Sequence, residues 1–359
     1  MKKYIINGKI YMCEHVGIYR YAYNIICAVD KQLRLYSDLE LQIVLPEEAK
    51  MLKLEIKEKN FKNVKIVYYK SSPFESLTLW QNICFPEYVR RMNGIAVCIG
   101  NFFPPLFPKG IVVVHDIMKI THPEWYKYGV EKIKSLANHR THYSSKGGYI
   151  TVSNHTHNEV VRYYRNKSKL PFLGIVNCAW NHMEFILEDE SVFKKYPSII
   201  KGDYFFTLGG TGTNRNFKWI YSVAEKFPDT VFVIAGRNDG EKARPNIIRT
   251  GSLSDGEIKA LYKNCKSYLY PSLDEGFGIT PLEALGCGAS IIISDIPVFR
   301  EIYKGAAHYI KPDNVEVNIE RLLKERVDSP SEILSKYTWE NAASDFLKIL
   351  SDFRGYKIK

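Results

Sequence analysis

Short apolar runs rich in β-branched residues alternate with amphipathic stretches along the whole 359-residue chain. Several of these runs are apolar at consecutive positions, which is typical of parallel strands that are buried on both faces and separated by helices. The pattern predicts strands at Tyr4–Ile6, Leu41–Leu45, Val64–Tyr68, Ala96–Ile99, Ile111–His115, Tyr149–Val152, Tyr204–Leu208, Val231–Ala235, Asn246–Arg249, Ser267–Tyr270, Ser290–Ile293 and His308–Ile310. The chain is therefore predicted to be an α/β protein with two consecutive doubly wound domains.

The predicted boundary between these domains lies in residues 181–202, where the segment Leu187–Ser191 is acidic. We therefore predict one domain over residues 1–182 and a second over residues 183–339. Near the end of the chain, Trp339–Phe353 carries apolar side chains at helical spacing, which predicts a last helix.

Length and composition fit this organisation, because roughly 150 residues is a common domain size. Hydrophobic residues make up 45% of the chain and charged residues 25%, which excludes disorder, collagen-like structure and coiled coil for the chain as a whole. The seven cysteines include no Cys-x-x-Cys pair, so we expect reduced thiols and neither a disulfide framework nor a zinc site. No apolar run approaches the ~20 residues that span a bilayer, and the first run breaks at Asn7, too early for a signal-peptide core. We therefore expect a cytoplasmic protein.

The net charge of +11 is distributed unevenly along the chain. Residues 1–180 hold 26 Lys and Arg against 14 Asp and Glu, a net charge of +12, whereas residues 181–359 hold 24 against 25, a net charge of −1. A basic surface attracts nucleic acid, anionic lipid or phosphorylated ligands. The alternative is that these residues lie on solvated helix faces and keep the protein soluble.

The most informative stretch is Pro271–Gly288, which follows a buried-type strand and opens a helix. Thr280 is a natural N-cap, Pro281 suits the first helical position, and Glu283 falls three residues after the cap. This spacing predicts a capping box in which Glu283 accepts a hydrogen bond from a backbone N–H. A purely structural role is therefore one interpretation of Glu283.

Capping does not account for the two glycines, Gly276 and Gly278, in the turn before the helix. Glycines let a ligand approach the backbone, and the helix terminus presents N–H groups to an anion. A doubly wound sheet places its ligand at this edge. Glu275 lies at the mouth of the turn, where a carboxylate beside a phosphate is unfavourable unless ligand hydroxyls donate to it. A sugar offers such hydroxyls.

The pair Glu275 and Glu283, with seven residues between them, lies within EGFGITPLEALGCGASIIISDIPVFREI. This segment resembles the signature of family 4 of the retaining GT-B glycosyltransferases, also known as glycosyl transferases group 1. Supporting segments are GIYRYAYNI (17–25), VVVHDIMKITHPEWY (112–126), ITVSNHT (150–156), FTLGGTGTNRNFKWI (206–220) and YTWENAASDFLKIL (337–350). The resemblance implies a GT-B fold, with two Rossmann-like domains that face a central cleft. It also implies that a helix in residues 340–359 crosses back to the first domain.

The resemblance implies catalytic roles for three residues. His115 should face the transferred sugar, Glu275 should bind its hydroxyls, and Arg215 should neutralise the leaving diphosphate, where negative charge develops. Glu283 should bind the ribose, and the loop that holds Leu253 should contact the base. The donor-binding residues implied in this way are Gly17, Gly210, Arg215, Lys218, Leu253, Glu275, Gly276, Phe277, Gly278, Ile279, Thr280 and Glu283.

The loop Asn214–Lys218 differs from the Arg-Lys-Asn run that is common in close relatives. Arg215 takes the lysine position and Asn214 takes the arginine position. The identity of the second phosphate cation, Lys218 or another residue, is left open. The early loop also has Gly17 alone where relatives have paired glycines.

The first domain of such enzymes holds the acceptor. The segment Phe102–Lys109 is apolar, basic and rich in proline, which predicts a loop. We interpret this loop as a lip for a lipid-linked or glycan acceptor, with Phe102, Phe103 and Asp116 on the acceptor side. The alternative is a buried connection.

These observations predict a cytoplasmic retaining glycosyltransferase that moves a hexosyl unit from a nucleotide-diphosphate sugar to a glycan or lipid-linked oligosaccharide, in surface polysaccharide biosynthesis. Peripheral association with an anionic membrane surface is also expected. Relatives of this type usually need no metal, and the sequence contains no Asp-x-Asp pair, so no cofactor is expected. The donor, GDP-mannose, a UDP-hexose or dTDP-rhamnose, is left open, as are the acceptor, the linkage and the oligomeric state.

The sequence leaves two alternative functions. The first is a non-catalytic basic protein that binds anionic lipid or nucleic acid; the dispersed basic residues and the absence of a nucleic-acid-binding motif argue against nucleic acid. The second is a GT-B phosphorylase that uses inorganic phosphate, for which no pyridoxal-site lysine motif is evident.

Overall fold

The computed structural model describes residues 1–12, 17–101, 109–126, 146–164, 171–210, 212–237 and 244–354. The chain divides into two compact units. The first unit comprises Met1–Pro123, Lys127–Cys178 and Trp339–Lys359, and the second comprises Glu124–Tyr126 and Ala179–Thr338. The main division therefore falls after Cys178, slightly before the predicted boundary at residue 182.

Each unit is built on a parallel sheet. The first sheet has the order β3-β2-β1-β4-β5-β6-β7, and the second has the order β10-β9-β8-β11-β12-β13. The strands are β1 Lys2–Asn7, β2 Leu39–Leu45, β3 Lys65–Tyr68, β4 Ile95–Cys98, β5 Lys109–Val114, β6 Lys146–Thr151, β7 Phe172–Ile175, β8 Tyr204–Leu208, β9 Val231–Ala235, β10 Ile247–Gly251, β11 Ser267–Tyr270, β12 Ile291–Ser294 and β13 His308–Ile310. Both orders reverse direction beside the first strand of the unit, which is the doubly wound arrangement that the sequence predicts.

Helices connect these strands in the described parts of the chain. They are α1 Gly17–Gln32, α2 Glu55–Glu58, α3 Leu77–Asn82, α4 Cys84–Arg91, α5 Met118–Thr121, α6 Asn154–Tyr164, α7 Ser191–Lys195, α8 Phe217–Lys226, α9 Asp255–Asn264, α10 Ile279–Gly286, α11 Pro297–Tyr303, α12 Ile319–Leu322, α13 Ser331–Lys336 and α14 Trp339–Asp352. Short 3₁₀ segments occur at Gly8–Met12, Leu33–Leu35, Glu47–Lys50, Pro73–Glu75, Pro123–Trp125, Asn181–Phe185 and Thr213–Arg215. None of the helices described here combines the length and the apolar character needed to cross a membrane.

One hydrophobic cluster of the second unit lies between its sheet and α8. Phe205, Phe232 and Leu269 come from three strands and pack against Trp219 and Ile220 of α8. These side chains are at least 99% buried. Burial of this kind stabilises a domain by roughly 25 cal/mol for each Å² of apolar surface removed from water. Helix α8 therefore removes the apolar side chains of these strands from water, which stabilises the sheet.

The last helix, α14, belongs to the first unit and packs against α1. Its Trp339 ring lies edge-on to the Tyr21 ring of α1, with centroids 5.8 Å apart. The Tyr4 hydroxyl of β1 donates to the Leu350 carbonyl at 2.6 Å. The buried positions of α14 are the ones that the helical spacing indicates.

Strand β7 is not among the strands that the sequence pattern predicts. Its Phe172–Ile175 segment is short, half-exposed and interrupted by Gly174, which has a φ of +149°. A Cβ atom at Gly174 would lie 2.8 Å from Cδ1 of Ile349, so glycine allows α14 to approach the strand closely. The residue that permits this packing also removes the apolar pattern by which a strand is recognised.

Candidate functional site

Two loops of the second unit meet where its strand order reverses, at the carboxyl ends of β8 and β11. The Ser272 hydroxyl donates to the Asn214 carbonyl at 2.9 Å, and the Leu273 N–H donates to the same oxygen at 2.7 Å. Asn216 has a φ of +54°, and its amide donates to the Pro271 carbonyl at 3.1 Å. These bonds fix the loop after β8 against the loop after β11, at the edge where such sheets bind ligands.

Glu275 lies at the centre of these loops and is surrounded by donors. Its Oε1 atom accepts hydrogen bonds from the Tyr270 hydroxyl at 2.9 Å, the Ser272 hydroxyl at 2.9 Å and the Asn214 amide at 3.1 Å. Arg215 Nη1 lies 3.5 Å from the same oxygen. The Glu275 side chain retains 11% exposure. A carboxylate held by several donors and a cation keeps a fixed orientation.

Arg215 is the cation that the structure brings to Glu275. Its guanidinium lies over the Tyr270 ring, with Cζ 4.9 Å from the centroid, and its side chain is 30% exposed. Gly210 is close, since a Cβ atom there would lie 3.9 Å from Cγ of Arg215. Lys218 is exposed on α8, and no hydrogen bond or ion pair of its ammonium group is found among the described residues. Of the two candidate phosphate cations, Arg215 is held by the site, whereas Lys218 extends into solvent.

The capping box predicted at Thr280 and Glu283 is wrong. Helix α10 begins at Ile279, its N-cap residue is Gly278, and no side chain caps it. Gly278 has a φ of +88°, and a Cβ atom there would lie 2.6 Å from Cε1 of Phe299. The turn needs glycine for both reasons, and it lets the helix start before Thr280. The first N–H groups of a helix have no acceptor within the helix, and those of α10 lie beside the loop.

Glu283 consequently lies further inside α10 and is fully buried. Its Oε1 atom is 3.1 Å from His182 Nε2, and the Tyr262 hydroxyl donates to Oε2 at 3.5 Å. His182 is on the 3₁₀ segment Asn181–Phe185, which Lys259 holds by donating to the Met183 carbonyl at 2.7 Å. Sequence reasoning missed His182 and Tyr262, because no local spacing relates them to Glu283.

Glu283→Gln should weaken the buried contact with His182 and also lower affinity for a nucleoside diphosphate. Loss of the charge removes a charge-assisted hydrogen bond, which is worth about 1.5–3 kcal/mol of unfolding free energy. Thermal or urea unfolding measures the first effect, and calorimetric titration with GDP and UDP measures the second. His182→Gln is the matched variant, and the double variant should cost little more than either single one. Unchanged nucleotide affinity in Glu283→Gln would make this residue purely structural.

His115 lies in the first unit, immediately after β5, and is 8% exposed. Its Nε2 atom donates to the Ile99 carbonyl at 2.8 Å, which leaves Nδ1 as an acceptor. The Tyr21 ring lies edge-on at a centroid distance of 4.7 Å. Burial lowers the pKa of His115 to about 4, although the bond to Ile99 opposes the shift. The imidazole is therefore neutral at physiological pH.

Asp116 follows His115, and Asn101 links the two residues. The Asn101 side-chain oxygen accepts from the His115 N–H at 2.6 Å, and its amide donates to Asp116 Oδ2 at 3.2 Å. Asp116 Oδ1 accepts from the Met118 N–H at 3.1 Å. Asn101 was not among the residues singled out from the sequence. The segment thus has a fixed backbone at the carboxyl end of β5.

The remaining predicted residues have varied surroundings. Gly17 begins α1, and a Cβ atom there would meet no described residue within 4 Å. Leu253 is half-buried just before α9, whose capping box joins Ser254 and Glu257. Phe102 and Phe103 lie outside the described residues. Within the described ranges, no group of three or more His, Cys, Asp or Glu side chains is arranged to hold a metal ion.

Comparison with known families places the loops of this site in a defined domain. Residues 190–341 match the family described as Glycosyl transferases group 1. Over 267 residues, the chain is 24% identical to the O-antigen chain mannosyltransferase RfbU of Salmonella typhimurium, covering 69% of this chain and 71% of that protein. Over 271 residues, it is 22% identical to the O-antigen chain mannosyltransferase B of Escherichia coli, covering 68% and 71%.

The fold of the two units also has counterparts among solved structures. The HepE protein of Anabaena, solved with UDP and glucose, aligns with a TM-score of 0.63 at 11% identity, covering 98% of this chain and 100% of that one. The two parallel sheets and this likeness confirm the predicted GT-B fold. Together, the family match and the fold support a GT-B glycosyltransferase.

Proposed function

We propose that this protein is a retaining, metal-independent glycosyltransferase of family 4 that transfers a hexosyl unit from a nucleotide-diphosphate sugar to a surface-polysaccharide precursor. The observation that carries the proposal is the anchored Glu275 carboxylate beside Arg215, at the edge of the second sheet where doubly wound sheets bind ligands. A fixed carboxylate suits sugar hydroxyls, and a partly exposed guanidinium suits a diphosphate.

In the proposed reaction, the bond between the sugar and the diphosphate breaks, and negative charge develops on the leaving phosphate. Arg215 and the N–H groups at the start of α10 stabilise that charge where it forms. Glu275 accepts hydrogen bonds from the sugar and fixes its position. The departing phosphate takes the proton of the acceptor hydroxyl, so the new bond forms on the face that the leaving group vacates. His115, neutral and with Nδ1 as an acceptor, is proposed to contact the transferred sugar.

Mannose is the sugar that the relatives favour. Two relatives, each aligned over more than two thirds of this chain, are named O-antigen chain mannosyltransferases. GDP-mannose is therefore our first choice of donor, ahead of UDP-hexoses and dTDP-rhamnose. The acceptor proposed on the same basis is a lipid-linked saccharide.

A donor panel tests the function. Release of nucleoside diphosphate from GDP-mannose, UDP-glucose, UDP-galactose and dTDP-rhamnose should be measured with saccharide acceptors, with and without EDTA. We expect turnover with one sugar nucleotide and the same rate in EDTA. Dependence on inorganic phosphate would indicate a phosphorylase, and binding without turnover would favour a non-catalytic protein. Loss of activity in EDTA that Mn²⁺ restores would contradict metal independence.

Peripheral membrane association is a second expectation, which rests on the +12 charge of residues 1–180. Each Lys or Arg near an anionic leaflet contributes up to ~1 kcal/mol, and salt screens the attraction. The protein should therefore pellet with vesicles that contain phosphatidylserine, and pelleting should fade as salt rises. Equal binding to phosphatidylcholine vesicles, or none to anionic ones, would contradict this expectation. The apolar and basic segment Phe102–Lys109 is the second basis for this expectation. Its residues 102–108 lie outside the described part of the chain.

A further inference from the structure

We propose that Tyr270 is a positioning residue that holds Glu275 and Arg215 apart and aims both charged groups at the donor. The inference rests on the proposed function, because it concerns the same site. Tyr270 is the last residue of β11 and is 3% exposed. It was not among the candidate residues of the sequence.

Tyr270 contacts both charged groups through different parts of one side chain. Its hydroxyl donates to Glu275 Oε1 at 2.9 Å, and its ring face lies beneath the Arg215 guanidinium at 4.9 Å. The hydroxyl of a tyrosine is a good donor to a carboxylate, and the face of its ring attracts a cation. The residue therefore has separate means of orienting the carboxylate and the cation.

The Tyr270 ring is itself held by packing. It stacks on the Tyr268 ring at a centroid distance of 6.0 Å and meets the Phe299 ring at 5.8 Å. Strand β11 lies inside the sheet, between β8 and β12. A side chain locked in this way can fix the geometry of the groups that touch it.

The separation of the two charges shows why such a residue is needed. Arg215 Nη1 is 3.5 Å from Glu275 Oε1, whereas a charge-assisted N–H···O bond measures about 2.7–2.9 Å. A tight bidentate pair would turn both groups toward each other and away from a ligand. The Tyr270 hydroxyl donates to Glu275 Oε1, and the Tyr270 ring attracts the Arg215 guanidinium. The carboxylate and the guanidinium therefore do not form a tight ion pair with each other, and both can contact a ligand.

The two other donors to Glu275 Oε1, Ser272 and Asn214, have no ring that could also attract Arg215. The Ser272 hydroxyl shares its single hydrogen between Glu275 Oε1 and the Asn214 carbonyl, each 2.9 Å away, and the Asn214 amide also reaches the Asp274 carbonyl at 3.4 Å. Their bonds tie the loops together. In the described part of the chain, Tyr270 is the donor whose ring also contacts Arg215.

Tyr270→Phe and Tyr270→Leu separate the two contacts. Phenylalanine keeps the ring beneath Arg215 and loses the bond to Glu275, so kcat with the nucleotide sugar should fall about tenfold while the affinity for GDP and UDP stays unchanged. Leucine loses both contacts, so nucleoside diphosphate affinity should also fall several-fold. Steady-state kinetics and calorimetry give the two readouts.

Tyr204→Phe is the matched control. Tyr204 is a buried tyrosine of the same unit, and its hydroxyl donates to the Leu261 carbonyl at 2.8 Å, away from Glu275. This variant should lower the melting temperature without changing kcat. An equal fall of kcat in Tyr204→Phe and Tyr270→Phe would overturn the proposal, because it would reflect lost stability alone.

The failure of this inference differs from the failure of the proposed function. A wild-type kcat in Tyr270→Phe, with activity lost in Glu275→Ala, would overturn the positioning role and leave the site in place. Wild-type turnover in Glu275→Ala as well would mean that the donor site lies elsewhere.

Discussion

Replacing Glu275 with alanine should reduce sugar transfer by about a hundredfold to a thousandfold, the usual cost of removing a preorganised polar contact from a reacting centre. The carboxylate is fixed by three hydrogen bonds to Oε1 and by the nearby Arg215, so it is already oriented before a donor binds. Its loss should affect the nucleotide sugar far more than the free nucleoside diphosphate, which has no hexose. Titration with GDP and kinetics with the nucleotide sugar measure this difference.

Glu275→Ala also removes the acceptor of Tyr270, Ser272 and Asn214, so folding must be checked separately. Glu275→Gln keeps an oxygen for these donors and removes the negative charge. Both variants should keep the wild-type circular dichroism spectrum, and Glu275→Gln should melt closer to the wild type. Glu332→Ala, at an exposed carboxylate paired with Lys304, is the control with unchanged activity. Full transfer activity in Glu275→Gln would contradict the proposed role of the charge.

Arg215→Lys should lower kcat by roughly a hundredfold, equivalent to about 3 kcal/mol of transition-state stabilisation. Lysine keeps a positive charge and loses the planar fork that can hold two phosphate oxygens. Turnover should fall more than donor affinity, because the charge on the diphosphate is greatest as the bond breaks. Measurement of kcat and KM with the nucleotide sugar decides the matter.

The chain offers a matched control for this substitution. Arg244 also lies over a tyrosine ring, that of Tyr221 at 4.5 Å, and is bonded to Glu225. Arg244→Lys should leave kcat unchanged. Lys218→Ala addresses the second phosphate cation: a loss like that of Arg215→Lys would identify Lys218 as this cation, and a neutral result would make it a solvated residue. Wild-type kcat in Arg215→Lys would show that the phosphate cation lies elsewhere.

The strands of both sheets could be predicted because buried parallel strands are apolar at consecutive positions. Runs such as Val231–Ala235 and Ser267–Tyr270 are strands with the predicted bounds. Strand β7 escaped prediction because Gly174 serves the close approach of α14, a contact between residues far apart in sequence. The local hydrophobic pattern therefore identifies a strand when the side chains of that strand form the core. It fails when contact with a distant helix determines which residue the strand needs, as at Gly174.

The candidate site shows the same limit in finer detail. The spacing of Glu275 and Glu283 was visible in the sequence, and so was the loop around Arg215. The prediction of a capping box is wrong because a positive φ at Gly278 advances the start of α10, and the presence of a glycine in the sequence does not reveal its φ. The sequence does not reveal the roles of Tyr270 and His182. Tertiary packing, and not sequence spacing, brings Tyr270 to Glu275 and His182 to Glu283.

The assignment of α14 to the first unit has a consequence for how the protein is made. Synthesis runs from the N-terminus, so the ribosome delivers the entire Ala179–Thr338 segment before Trp339–Asp352. The second unit is continuous over that segment and can complete its sheet while the nascent chain is still growing. The first unit meanwhile lacks the helix that covers α1 and bonds to Tyr4. The domain translated first is therefore the one that finishes folding last, and its exposed apolar surface is a natural substrate for chaperones during that interval.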